Sequence, residues 1–282
     1  PASLPASLPA SLPASLPASL PPSPPLSPRR LRLPDGTSLW CLAPAEALHV
    51  HREVVERRVY LPAGSGMRLP ARGLVVDGGA NLGLFSLWLA RQCAAVQLLA
   101  LEPAPRSCAL LRRNLEEAGL GCRVAALRLA LASEAAEVQL TFYPHMPGNA
   151  SLWPAEKWAE RERVFAPERH AHMFASEAVR CTAVTLPGLL RARGLFGPRC
   201  VALLKLDVEH HEVAVLEGLT TEEEWAAVDA LVLETHTRAK AARVLAMLRA
   251  HFAVVGARRD ECELPEHAIV FAYDNRHTTR DG

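Results

Sequence analysis

Apolar residues along this chain gather into short, nearly continuous runs separated by longer amphipathic stretches. That pattern predicts strands buried on both faces alternating with helices. LVVDGG (74–79), VQLLALEP (96–103), VALLKLD (201–207) and VDALVLETH (228–236) read as strands that end in polar residues or glycine. Helices are predicted over 82–93, 105–118, 186–193, 212–219 and 238–252. In the second of these, Pro105 suits the first helical position, Leu110, Leu111 and Leu115 share one stripe, and Gly119 suits a left-handed stop. CRVAALRLAL and EVQLTFY supply further strands, and FAVVGARR with HAIVFAYD reads as a closing pair. The alternation predicts an α/β domain with a mainly parallel sheet, whose ligands sit at the carboxyl ends of the strands.

Three stretches fall outside that rhythm. Residues 1–30 hold five copies of PASL followed by PPSPPLSPRR, so proline recurs every four residues or fewer and removes backbone donors. A disordered or polyproline-like tail is expected there. Residues 31–73 read as an N-terminal cap in which Pro34-Asp35-Gly36 marks a turn, and the main domain is expected over 74–282. Within it, 144–177 is a long insertion with Pro144, Pro147, Gly148, Pro154, Pro167, two tryptophans and a short helix over 154–164. Such a segment is either a lid or wall for the ligand or a passive insertion.

Composition narrows the partners. With 31 Lys and Arg against 30 acids, no global charge favours nucleic acid or an anionic membrane. No segment approaches the roughly 18–20 apolar residues of a membrane span, and the proline-punctuated start lacks a signal peptide's apolar core. Seven scattered cysteines, never spaced as CxxC, read as free thiols in a reducing compartment, so a soluble cytoplasmic protein is expected. Asn149-Ala150-Ser151 fits a glycosylation acceptor, read as a chance match.

The candidate chemistry lies at strand ends. In VVDGGANLG (75–83) glycine lets a ligand approach the backbone, and the next helix offers free N–H groups, yet the run matches neither G-x-G-x-x-G nor G-K-[ST]. Glu102 ends the second strand 19 residues beyond Gly83, where an acid can accept hydrogen bonds from ribose hydroxyls. Together they point to a nucleoside-containing cofactor. Further along, Lys205, Asp207 and Glu209 alternate on one side of a strand, and Glu234 and His236 stand likewise at the end of the next. Such groups could hold a metal, but His210 and His211 are adjacent and diverge too far to share an ion, so no metal ligands are assigned.

VVDGGANLGLFSLWLA, ALEP, and LLKLDVEHHEVAVLEGL followed by LVLETH resemble the FkbM-type family of S-adenosylmethionine-dependent methyltransferases over roughly residues 45–274. The family pattern in the third block runs close to Lys-Ile-Asp-Val-Glu-Gly-x-Glu. Lys205, Asp207, Val208, Glu209 and Glu212 match it, while His210 replaces the usual glycine. The resemblance implies a Rossmann-like class I methyltransferase fold: seven strands, mainly parallel with the last antiparallel, and helices on both faces. It implies S-adenosyl-L-methionine as cofactor, with Asp77, Gly79, Asn81 and Gly83 at its amino-acid part and Glu102 at its ribose. It also implies O-methylation of a hydroxyl on a small molecule or sugar. His236, with an ordinary pKa of about 6.5, is the expected base, oriented by Asp207 and Glu209. A non-catalytic module of the same fold and a nicotinamide-dependent oxidoreductase are the competing readings.

Overall fold

A computed structural model of the chain describes residues 26–164, 173, 175–259 and 266–274. The PASL repeats lie outside the described residues. The chain enters through an antiparallel hairpin of β1 (Arg29–Arg32) and β2 (Ser38–Cys41), so the first strand begins two residues inside the stretch expected to be tail. The predicted turn holds it: Gly36 takes a φ of +82°, and Asp35 accepts from the Thr37 N–H at 2.9 Å and its hydroxyl at 2.8 Å. Helix α1 (Pro44–His51) follows and runs into a π-helical turn over Arg52–Arg57 that ends at left-handed Arg58.

The main sheet is built from β3 (Arg72–Gly78), β4 (Ala95–Leu101) and β5 (Val124–Leu127), with α2 (Leu84–Gln92) and α3 (Pro105–Glu117) as crossovers. The chain then leaves the sheet. β6 (Ala130–Leu131), β7 (Ala136–Phe142), α4 (Pro154–Val164) and β8 (Glu177–Val184) intervene, with β6 parallel and β7 antiparallel to β8 in a separate three-stranded sheet. The expected single strand over 122–131 is therefore split at Arg128-Leu129 and serves two sheets. β8 was not anticipated, because its exposed Glu177, Ala178 and Arg180 dilute the apolar signal.

The chain returns through α5 (Leu186–Ala192), β9 (Val201–Leu206), α6 (Glu212–Glu217), α7 (Glu222–Trp225), β10 (Ala230–Thr235) and α8 (Arg238–Arg249), and closes with β11 (Val254–Arg259) and β12 (Ala268–Tyr273). The seven-stranded sheet has the order β5-β4-β3-β9-β10-β12-β11. β12 runs antiparallel to both its neighbours, and the other pairings are parallel. This is the expected seven-stranded class I methyltransferase arrangement, with the reversed strand inside the edge.

Alternation along the strands divides the core. Val76, Leu99, Leu204 and Leu231 pack with α5, α6 and α8 on one face, while Val75, Leu98, Leu203 and Val232 pack with α2 and α3 on the other. Leu89, Leu111, Leu190 and Leu248 are sealed from solvent on these helices. Each such leucine contributes about 1.5–3 kcal/mol by its burial. That double-sided packing fixes the carboxyl ends of β3, β4, β9 and β10 along one rim, where all the candidate groups lie.

Candidate active site

The loop after β3 is shaped from below. Asp77 is fully buried, accepts from the Ser86 hydroxyl at 2.7 Å, and pairs with the Lys205 ammonium at 3.1 Å. Lys205 donates to the Gly79 carbonyl at 3.0 Å, so the pair holds the loop backbone. Its burial disfavours the charged ammonium, but Asp77 and Asp207 outweigh that and raise its pKa. Gly79 has a φ of +75°, and a β-carbon there would come within 1.7 Å of the Asp207 carbonyl oxygen. Only glycine lets this loop lie against the turn after β9.

Glu102, at the end of β4, fastens the same loop from the side. One carboxylate oxygen accepts from the Asn81 N–H and the other from the Ala104 N–H, each at 2.9 Å. Burial raises its pKa to about 7, against the lowering effect of those two donors.

The turn after β9 is left-handed at Glu209 (φ +51°) and His210 (φ +76°). The backbone there has the form glycine favours, at a cost of roughly 1–2 kcal/mol for another residue. His210 is buried and its ring lies 4.4 Å from that of His236. Lys240 donates to its carbonyl at 2.6 Å, so the imidazole and the turn are both held.

The insertion packs against this turn. The Ser151 hydroxyl donates to the Glu209 carbonyl at 2.7 Å, Lys157 pairs with the Glu209 carboxylate at 2.6 Å, and the Trp153 indole N–H donates to His211. Of the two readings left open for 144–177, a ligand wall fits: Met146, Asn149, Leu152 and Lys157 line the cavity. Helix α1 supplies the opposite wall through Glu46, Val50 and the following Val54, and Glu46 accepts from the Gly148 N–H at 2.9 Å to tie the two together.

These walls enclose a cavity of about 760 Å³. Gly79, Asn81 and Glu102 line it together with Asp207, Glu209 and His236. Asp77 and Gly83 are not among its lining residues: Asp77 lies beneath the loop with Lys205, and Gly83 is pressed on Leu111. Both therefore shape the loop from outside the cavity lining.

Asp207 accepts from the Tyr60 hydroxyl at 2.8 Å. Its pKa is raised by burial, with Lys205 opposing the rise. His236 departs from expectation. Burial works against its charge, but Glu212's hydrogen bond and the charges of Glu209, Glu234 and Glu212 prevail and raise it to about 10. The surrounding carboxylates therefore favour the charged ring, in which it donates hydrogen bonds.

The descriptive family model of the methyltransferase FkbM domain matches residues 77–255 of this chain. The chain belongs to the FkbM methyltransferase family. It is similar to methyltransferase sdnD of Sordaria araneosa, at 34% identity over 71% of this chain and 79% of that protein. It is also similar to the 31-O-demethyl-FK506 methyltransferase FkbM of Streptomyces tacrolimicus, at 31% identity over 82% of this chain and 90% of that protein. Among solved structures, a methyltransferase FkbM from Methylobacillus flagellatus aligns at 13% identity and a TM-score of 0.48, over 82% of this chain and 54% of that one.

As an FkbM-family enzyme, the chain is an S-adenosylmethionine-dependent methyltransferase, not an oxidoreductase or a non-catalytic module. The cavity suits that cofactor chemically, because Glu102 presents to it a carboxylate that keeps lone pairs beyond its two backbone donors. The parts of this methyltransferase that sequence reasoning missed, Tyr60, Glu46 and His267, come from outside the motifs. His267 alone had a usable signal, as a polar residue opening the apolar run of a reversed strand.

Proposed function

We propose that this methyltransferase transfers its methyl group to a hydroxyl oxygen of a small molecule or sugar held beside Asp207, Glu209 and His236. The observation that carries this reading is a single cavity of about 760 Å³ lined both by Glu102 and by those three groups. That is room for a nucleoside-sized cofactor and a modest acceptor. S-adenosylmethionine, when bound, supplies an electrophilic methyl group on a sulfonium.

The chain's own residues do the rest. Each Glu102 oxygen already takes one N–H and keeps a lone pair for a ribose hydroxyl. Gly79 and Asn81 offer backbone to the amino-acid part, with Asp77 and Gly83 shaping the loop. Asp207 is the base: burial makes it more basic than an exposed aspartate, and Tyr60 fixes one of its oxygens. Lys157 holds Glu209 in place, and Glu209 in turn faces His236 at 3.8 Å. The name of the Streptomyces tacrolimicus relative supports oxygen as the acceptor atom. The six described cysteines are free, which supports a reducing, cytoplasmic setting.

The test supplies methyl-labelled S-adenosylmethionine and a small-molecule extract to the protein, and identifies the labelled product by mass spectrometry. An O-methylated product is expected. Asp207→Asn should lower kcat by about 100-fold or more while changing S-adenosylhomocysteine affinity little. Label found only on nitrogen or carbon, or full turnover by the variant, would sink the proposal.

A further inference from the structure

The reversal of β12 brings a strand beginning to the rim where parallel strands bring their ends. Thr235 pairs with Ala268, so His236 and His267 come side by side, and their rings meet edge to face at 4.8 Å. Glu234 lies on β10, two residues before His236, which directly follows the strand. Its carboxylate lies 3.3 Å from Nδ1 of His267. One donor atom from each of Glu234, His236 and His267 lies within 4.8 Å of the other two. All three residues line the cavity beside Asp207 and Glu209.

We propose that Glu234, His236 and His267 form a binding site for a divalent first-row transition-metal ion at the acceptor end of the cavity. Two imidazoles and one carboxylate are a donor set for manganese, iron, cobalt, nickel or zinc. Magnesium and calcium prefer oxygen throughout. Metal–nitrogen bonds of about 2.1 Å place ligand atoms roughly 3–3.5 Å apart, so ligand atoms up to 4.8 Å apart must close by roughly 1.3–1.8 Å, a rotamer-scale adjustment on fixed strands. His236 also has the carboxylates expected behind a ligating imidazole, with Nε2 at 3.7 Å from Glu212 and 3.8 Å from Glu209.

Three protein ligands leave coordination positions facing the cavity, where an acceptor with two neighbouring oxygens, such as a vicinal diol or an α-hydroxy acid, fits. Bound there, a hydroxyl gives up its proton to Asp207 more readily. This acceptor class rests on the proposed methyl transfer to oxygen; the metal site does not.

The full chain, stripped with a chelator, is titrated with Co²⁺ and followed by calorimetry and visible absorption. Saturation at one ion per chain with micromolar or tighter affinity is expected. Glu234→Gln and His267→Ala should each weaken it at least tenfold. His251→Ala, which removes a ring stacked on Trp225 away from the cavity, should leave it unchanged. S-adenosylhomocysteine binding by every variant reports that it is folded, and His267→Gln replaces any that is not. No saturable binding, or binding indifferent to both substitutions, overturns the site. Stoichiometric Co²⁺ uptake supports it whether or not a methylated product forms. Methylation that survives chelation in a chain taking up no Co²⁺ keeps the transfer reading and removes the metal.

Discussion

Glu102 is the residue at which sequence and structure meet most directly. Its position after an apolar strand is enough to nominate it for a ribose, but not to fix its charge, which depends on burial that the sequence does not display. Its raised pKa of about 7 has a direct consequence. Below that pH the group is protonated and loses acceptor capacity, while above it the carboxylate binds hydroxyl donors. Affinity for S-adenosylhomocysteine should therefore rise with pH, by about tenfold between pH 6 and 8 if binding returns the group to its ordinary range. Calorimetry across that range checks it, with Glu102→Gln expected to bind more weakly and with a flat profile. His236 teaches the converse. Its position was legible, but its protonation was not, because Glu209 and Glu212 reach it from the turn after β9, more than twenty residues away, to join Glu234 beside it. His210 shows a third case, since a side chain at a glycine position signals a changed turn, yet the left-handed backbone persists under a ring packed on His236.

At the scale of elements, the alternating strands and helices of the main sheet were legible because each carries its own periodicity. Of the second sheet only β7 was legible, because β6 is two residues long and β8 half-exposed, so pairing rather than local pattern makes those two strands. The same holds for the contact between α1 and the insertion, which no local pattern encodes. Glu46 carries that contact through the Gly148 N–H at 2.9 Å and the Asn149 amide at 3.4 Å. Hydrogen bonds to a charged acceptor contribute about 1.5–3 kcal/mol. Glu46→Ala should loosen the two walls and speed S-adenosylhomocysteine release by about tenfold or more, as read by stopped-flow. An unchanged off-rate would mean that other contacts hold the roof.

At the scale of the molecule, the cavity joins segments distant in sequence: α1, the loops after β3 and β4, the insertion, and the ends of β9 and β10. They are already linked without a ligand. Tyr60 packs edge to face on Phe85 at 5.6 Å and donates to Asp207, while Ser151 and Lys157 of the insertion reach Glu209. A cofactor bound among them should stabilise cap, sheet and insertion together. At 100 times its dissociation constant the linkage is worth about 2.7 kcal/mol, which for a domain of this size corresponds to a rise in Tm of roughly 5–10 °C. Hydrogen exchange locates the effect. With S-adenosylhomocysteine bound, amides of α1 and of 145–152 should slow along with those of the 79–83 loop. Protection confined to the loops after β3 and β4 would show instead that cap and insertion open independently of the cofactor site, and that the acceptor end is assembled only when the second substrate arrives.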